Sequence, residues 1–343
     1  MNSKLMKEYI CLLSRSRMGL DLSFAAIYNY LNYTIKPIHY KIPSNYSYPM
    51  VSMYVTRRCN LSCDYCVVGK IPQNVNQIEF ELTPQKYNEI LEHPLIKKTL
   101  LMLLCGGEPL LNGNILELIS MTKKKGKIPT ILTNGLLLKE KWDGLLKSGI
   151  ADVQLSLYDN TMDILKNDLK PMNKDMKMNA SYVLLRSDFD NNPDKLENVI
   201  NYVSEAGFKN LKLNFCLSNE NNNFIDESLK TEHKAKYDEF KNKILKKYKK
   251  IIIYFPNITV SGEKKCKAPW NSLLVDAAGN FGFCCKHQPS ISRDNNIFKR
   301  DWKEVINSEL FCRWRKNMLS ENSAIPEHCK DCYHINGSYS SNV

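Results

Sequence analysis

The sequence predicts an α/β protein, a partial barrel of six βα units followed by a small domain of one β-hairpin and a helix. Three observations carry this. Short apolar segments at 51–56, 100–104, 129–133, 152–157, 180–186 and 211–216 alternate with longer amphipathic stretches, the pattern of parallel strands joined by right-handed crossovers. Along these strands apolar and polar residues alternate. Leu211, Leu213 and Phe215 share one face and Lys212, Asn214 and Cys216 the other, just as Val153, Leu155 and Leu157 oppose Gln154 and Ser156, so the sheet curls around a polar lumen. Past residue 250 the alternation stops and a hairpin pattern begins.

The elements follow in order. Residues 1–48 form an amino-terminal extension with a helix around 23–33, expected to pack outside the barrel. The barrel occupies 49–255. Its first helix begins at Thr83 and Pro84, a cap and first-turn pair, and runs through Tyr87, Ile90 and Leu91. Another covers 194–205, with Gly207 as its stop. A lysine-rich stretch, Lys241, Lys243, Lys246, Lys247, Lys249 and Lys250, alternates with Phe240, Ile244, Leu245 and Tyr248, as a solvated helix face does. The carboxyl-terminal domain, 256–343, begins with strands at 273–276 and 281–285 around a bend containing Gly279 and Asn280. One helix over 301–319 follows, then a Cys-bearing segment that frays beyond residue 337.

Composition narrows the class. A chain of 343 residues, 43% hydrophobic, with 14 Gly and 14 Pro, is neither disordered nor collagenous. No apolar run reaches the ~18 residues of a membrane span. The opening stretch is broken by Lys4, Lys7, Glu8, Arg15 and Arg17 and lacks a secretory core, which predicts a cytoplasmic protein. In a reducing compartment the twelve cysteines read as metal ligands or catalysts rather than disulfides. The net charge of +12 favours an anionic substrate or an acidic electron donor; membrane and nucleic-acid partners are not expected.

Cys59, Cys63 and Cys66 lie in Thr56-Arg57-Arg58-Cys59-Asn60-Leu61-Ser62-Cys63-Asp64-Tyr65-Cys66, directly after the first strand. Three thiolates in one loop can hold three irons of a four-iron cluster and leave the fourth open. A structural zinc would need a fourth ligand, and no Cys or His lies nearby. This segment resembles the signature of the radical S-adenosylmethionine superfamily, with Tyr65 as the aromatic residue before the last cysteine. The resemblance implies a radical SAM barrel whose open iron chelates S-adenosylmethionine, and whose one-electron reduction yields a 5′-deoxyadenosyl radical that removes a hydrogen atom from the substrate. It implies a one-electron reductant such as flavodoxin or ferredoxin. Further matches stand at strand ends. Gly106-Gly107-Glu108-Pro109 looks like the family's glycine-and-acid motif, with oxygens able to accept from the methionine ammonium. Asn134, in a turn, and Ser156, on the lumen face, are similar to ribose or carboxylate contacts. Arg186 is placed to hold the methionine carboxylate, with a helix-facing ion pair as its alternative.

A second group comprises Cys266, Cys284, Cys329 and Cys332. Twelve residues separate Cys266 from Gly279 and four separate Gly279 from Cys284, which looks like the opening of the SPASM cysteine pattern, here in its shorter twitch form. The implied cofactors are therefore S-adenosylmethionine and two four-iron clusters, one for radical formation and one auxiliary. Four thiolates also suit a structural zinc, and Cys285 is an alternative to Cys284 as ligand because neighbours in a strand face opposite ways. Cys216 and Cys285 are the candidate hydrogen-atom donors; Cys105 and Cys312 read as core. The expected reaction is oxidation of a carbohydrate-like small molecule or a peptide, by dehydrogenation or cross-linking, with the auxiliary cluster as electron acceptor. Epimerisation through a cysteine thiol is the alternative, and a non-catalytic zinc protein the alternative of another class. The 50 residues before the first strand are too few for the recognition domain that peptide-modifying relatives often carry, which favours a small molecule or a peptide bound without a fused reader.

Overall fold

A computed structural model describes residues 39–68, 80–176, 178–217, 227–258, 266–289, 294–320, 323–326, 329, 332–333 and 339–341. The amino-terminal helix expected around 23–33 lies outside them.

The six expected strands are β1 (Met50–Thr56), β2 (Leu101–Gly106), β3 (Ile128–Thr133), β4 (Asp152–Leu157), β5 (Met178–Leu184) and β6 (Asn210–Phe215). Each pairs in parallel with the next. The crossovers carry α1 (Pro84–Glu92), α2 (Pro94–Lys97), α3 (Ile115–Lys124), α4 (Leu138–Ser148), α5 (Asp159–Leu165), α6 (Leu169–Asp175), α7 (Arg186–Asn191) and α8 (Pro193–Glu205). Local signals act as the sequence predicts: the Thr83 side chain accepts from Lys86 N–H at the start of α1, and Gly207 follows α8 with φ 81°, a value only glycine adopts cheaply. The outward strand residues Val51, Met53, Leu155, Leu211, Leu213 and Phe215 join Ile90, Leu118, Leu145 and Val199 of the helices in one buried core. This leaves the opposite faces to line the lumen.

The lysine-rich helix is α9 (Lys234–Lys247), which buries Tyr237 and Ile244. Its lysines meet carboxylates, Lys243 and Lys247 with Glu197 and Lys241 with Asp238, as the solvated-face reading requires. A seventh strand, β7 (Ile252–Pro256), extends the parallel sheet beside β6. Nothing in the sequence marks it, because five residues after a charged helix show no alternation to distinguish strand from loop.

The carboxyl-terminal part contains α10 (Ala268–Asn271), the hairpin β8 (Ser272–Asp276) and β9 (Phe281–Gly282), α11 (Trp302–Ile306), α12 (Glu309–Leu319) and β10 (Tyr339–Ser340). The bend holds Gly279 at φ 85°, and Asp276 Oδ1 accepts from the N–H groups of Ala278 and Asn280 at 2.9 Å. β8 also pairs in parallel with β1, Met50 opposite Ser272 through Tyr54 opposite Asp276, so the hairpin extends the barrel's own sheet. The single helix expected over 301–319 is two. Asn307 interrupts it by bonding both backbone groups of Ile42 at 2.8 Å, and Ser308 takes an extended ψ of 159° as the cap of α12. Asn and Ser compete for backbone hydrogen bonds and favour such breaks.

Candidate active site

The carboxyl ends of β1 to β6 surround a cavity of about 910 Å³. Cys59, Cys63 and Cys66 line it from the loop after β1, together with Tyr65, Gly106, Gly107, Glu108, Asn134, Ser156 and Cys216. Thus most of the residues singled out in the barrel come together. Pro109 and Arg186 are not among the lining residues. Pro109 opens a short 3₁₀ turn capped by Glu108. Arg186 begins α7 and pairs with Asp190 at 3.7 Å, so the structure places it in the helix-facing ion pair.

The loop is held by backbone contacts that require glycine. Gly107 N–H donates to Thr56 O at 2.9 Å and Glu108 N–H to Arg58 O at 2.7 Å. A Cβ on Gly107 would stand 2.1 Å from Arg58 O. The close approach made possible by these glycines is therefore to the strand leading into Cys59. Glu108 is buried, and its carboxylate accepts from Leu110 N–H at 3.0 Å, the Thr133 hydroxyl at 2.8 Å and Asn134 N–H at 2.8 Å. Burial raises its pKa while these donors lower it. Asn134 takes the turn role, its Oδ1 accepting from Leu136 N–H at 3.1 Å, and its Nδ2 donates to Asn60 Oδ1 at 2.8 Å in the cysteine loop.

Burial pushes the Cys63 thiol up to about 11, with Cys66 and Cys59 adding to the shift. Tyr65 lies against Tyr158, ring centroids 6.3 Å apart and nearly parallel, and Tyr158 also lines the cavity beside the cysteine loop. Among the described residues no three Cys, His, Asp or Glu side chains converge tightly enough to hold one metal ion. A four-iron cluster separates its ligating sulfurs by its own width and so demands less convergence than zinc.

The second cysteine group assembles from three segments. Burial pushes the Cys284 thiol up, with Cys266, Cys332 and Cys329 as neighbours that add to it. Cys266, pushed up to about 12 by burial, has Cys332, Cys329 and Cys285 beside it. Burial pushes the Cys285 thiol up to about 12, and its neighbours include Cys284, Lys286, Lys212 of the lumen and Cys266. Cys284 thus neighbours all three of Cys266, Cys329 and Cys332, while Cys285 neighbours Cys266. Cys105 is buried in a lumen cluster with Tyr54 and Leu274, while Cys312 donates to Asn307 O at 3.2 Å.

Contacts that sequence reasoning missed join this group to the cavity. The Tyr54 hydroxyl donates to Gln288 Oε1, Gln288 Nε2 donates to Cys285 O at 2.9 Å, and Arg57 donates to Pro289 O at 3.2 Å. Tyr333, next to Cys332, donates to Asn214 Oδ1 at 3.3 Å and packs on Phe215. All but the Gln288–Cys285 bond join residues more than 100 positions apart, and no local pattern announces such pairs.

A barrel with three thiols lining its cavity and four more gathered in the carboxyl-terminal part defines a class. Residues 53–231 match the Radical SAM superfamily and residues 266–333 match SPASM, an iron-sulfur cluster-binding domain. The first match covers more than half of the chain, which belongs to the radical SAM superfamily and carries a SPASM-type domain at its carboxyl-terminal end. Among its relatives is the antilisterial bacteriocin subtilosin biosynthesis protein AlbA of Bacillus subtilis, 20% identical over 81% of this chain and 66% of AlbA. The PqqA peptide cyclase of Gluconobacter oxydans is 32% identical over 31% of this chain and 29% of the cyclase. The GTP 3',8-cyclase of Helicobacter pylori is 24% identical over 80% of this chain and 94% of that protein. Streptococcus suis SuiB bound to S-adenosylmethionine shares the fold, with a TM-score of 0.61 and 15% identity over 83% of this chain and 77% of SuiB.

The family's cofactors are S-adenosylmethionine with a four-iron cluster in the barrel and auxiliary iron–sulfur in the SPASM domain. The donor sets fit. Cys59, Cys63 and Cys66 would supply three thiolates beside an open cavity, and Cys266, Cys284, Cys329 and Cys332 would supply a set of four.

Proposed function

We propose that this enzyme oxidises a peptide, by dehydrogenation or cross-linking, and that the auxiliary cluster takes up the second electron. The observation that carries this reading is that residues adjoining the second cysteine group stand beside the cavity wall. Lys212 and Asn214 both line the cavity, and they neighbour Cys285 and Tyr333 respectively. A substrate lying against β6 is thus flanked by the radical-forming loop and by the auxiliary thiols. Peptide chemistry is supported by the names of AlbA and of the PqqA peptide cyclase, and by SuiB, whose fold accommodates its precursor peptide SuiA.

On reduction by a flavodoxin or ferredoxin, bound S-adenosylmethionine supplies a 5′-deoxyadenosyl radical. The chain's own residues do the rest. Glu108 holds the loop that presents the three thiols, directly through its N–H to Arg58 O and indirectly through Asn134, whose Nδ2 donates to Asn60. Tyr65 and Tyr158 wall the cavity on that side. With Cys59, Cys63 and Cys66 holding the first cluster and Cys266, Cys284, Cys329 and Cys332 the auxiliary one, the bound groups would take a hydrogen atom and then an electron from a substrate in the cavity, whose proton would pass to solvent, so that the product would be two hydrogens lighter.

Epimerisation remains a second reading because Cys216 is buried and lines the cavity; burial pushes its thiol up to about 12, which keeps its hydrogen in place. Anaerobic turnover of a peptide library in deuterated water, read by mass spectrometry, separates the two. A product two hydrogens lighter, formed without Cys216 or Cys285, supports oxidation. Deuterium at the reacting carbon, lost in Cys216→Ala or Cys285→Ala, overturns it.

A further inference from the structure

The lumen changes character between β3 and β4, where Leu132 pairs in register with Gln154. On the β4 to β6 side the cavity is lined by Gln154, Ser156, Ser181, Lys212 and Asn214, with Val183 as an apolar exception. On the β1 to β3 side it is lined by Val68 and Leu132, which pack on a cluster of Tyr54, Cys105 and Leu274. That cluster is distinct from the core beneath the helices.

The two layers of this apolar side differ in exposure. Tyr54, Cys105 and Leu274 are buried. Val68 and Leu132 are only half-buried, backed by the cluster and bordering the cavity in front, and the scheme above uses neither. Hydrocarbon that borders a cavity is stabilised by an apolar group that covers it. The opposite side offers amides and hydroxyls able to bond a peptide backbone, from which side chains stand away toward the walls.

Resting on the peptide reading above, we propose that Val68 and Leu132 are specificity-determining residues that seat an apolar side chain of the peptide while its backbone lies along Gln154 and Ser181. A polar side chain of the same shape would lose its water against hydrocarbon without gaining a hydrogen-bond partner. Val68 follows Cys66 by two residues, so the residue held in this seat is the one presented to the radical-forming loop.

The test uses reconstituted holoenzyme with S-adenosylmethionine and two peptides alike in shape, Ac-Gly-Leu-Gly-amide and Ac-Gly-Asn-Gly-amide, together with 4-methylpentanamide, which carries a branched apolar chain without a peptide backbone. Dissociation constants are read by saturation-transfer NMR. The Leu peptide should bind at least about tenfold more tightly than the Asn peptide, the size of one apolar side chain withdrawn from water. Val68→Thr, which keeps the shape and adds a hydroxyl, and Leu132→Thr should each bring that ratio toward one, with iron content retained. Val68 lies in a loop, so its isosteric replacement remains a test even where Leu132→Thr, on β3, lowers the yield of folded enzyme.

Equal binding of the two peptides, a preference that survives both substitutions, or no binding by any of the three probes overturns the seat and leaves the peptide reading in place. Binding of 4-methylpentanamide that Val68→Thr weakens, with neither peptide bound, supports the apolar seat and overturns the peptide reading. A loss of S-adenosylmethionine affinity of about tenfold in Val68→Thr or Leu132→Thr, with the peptide ratio unchanged, assigns this wall to the cofactor and overturns the proposal.

Discussion

The two cysteine groups are built in opposite ways. Cys59, Cys63 and Cys66 come from one loop at the mouth of the cavity, and Cys59 is exposed. Cys266, Cys284, Cys329 and Cys332 come from three segments, and Cys329 and Cys332 are buried against the core. A contiguous loop reorganises around a metal at small cost to the rest of the chain. A set that gathers distant segments makes metal binding and folding one process. The first arrangement suits a site that must admit cofactor and substrate, the second a site that stays closed and passes electrons.

The largest effects should therefore be of different kinds. Cys59→Ala, Cys63→Ala or Cys66→Ala should abolish S-adenosylmethionine cleavage, since each removes one of three thiolates, while circular dichroism and auxiliary iron remain unchanged. Cleavage at the wild-type rate in any of the three would end the assignment of this loop. In the second group, replacing Cys266, Cys284, Cys329 or Cys332 by Ala should reduce iron from about eight per chain toward four and lower the melting temperature. Cys285→Ala should leave the iron count intact. Iron lost in Cys285→Ala and kept in Cys284→Ala would reverse the choice between these neighbours, and four irons with one zinc would remove the electron acceptor.

A smaller effect tests the connection between the groups. Gln288→Leu removes the acceptor of the buried Tyr54 hydroxyl and the donor to Cys285 O. Leaving a buried polar group unpaired costs about 1–3 kcal/mol. Denaturant unfolding should show a loss of that size, and Tyr54→Phe with Gln288→Leu should recover part of it, because both partners are then gone. A neutral Gln288→Leu would mean the strap carries no stability.

Much of this was legible in the sequence for physical reasons that can be named. β4 begins and ends where alternation begins and ends, at Asp152 and Leu157, because side chains on a strand alternate between core and lumen. The hairpin was legible in Gly279, whose positive φ the bend requires. The cysteine loop was legible because its ligands are neighbours in the chain. What escaped are the seventh strand, too short to show alternation, and pairings between distant segments: β8 beside β1, the break at Asn307 imposed by Ile42, and the Gln288 strap. A residue's own neighbourhood carries no record of a partner more than 200 positions away.

Arg186 marks the boundary between these two kinds of information, and the smallest expected effect belongs to it. Its place at the end of β5 agrees with an expected contact to the methionine carboxylate, but α7 starts at this residue and turns its guanidinium toward Asp190, 3.7 Å away. The Glu227 carboxylate also feels it. The Arg186 side chain is 37% exposed, and exposed pairs of this kind contribute about 0–1 kcal/mol. Arg186→Gln should therefore shift stability by less than ~1 kcal/mol and leave S-adenosylmethionine affinity within about twofold, well short of the tenfold that a lost 1.4 kcal/mol contact would produce. Equilibrium dialysis with labelled cofactor decides it. A tenfold loss at unchanged stability would show that the guanidinium swings from Asp190 into the cavity when the cofactor binds, and would restore the carboxylate contact that the strand-end position first suggested.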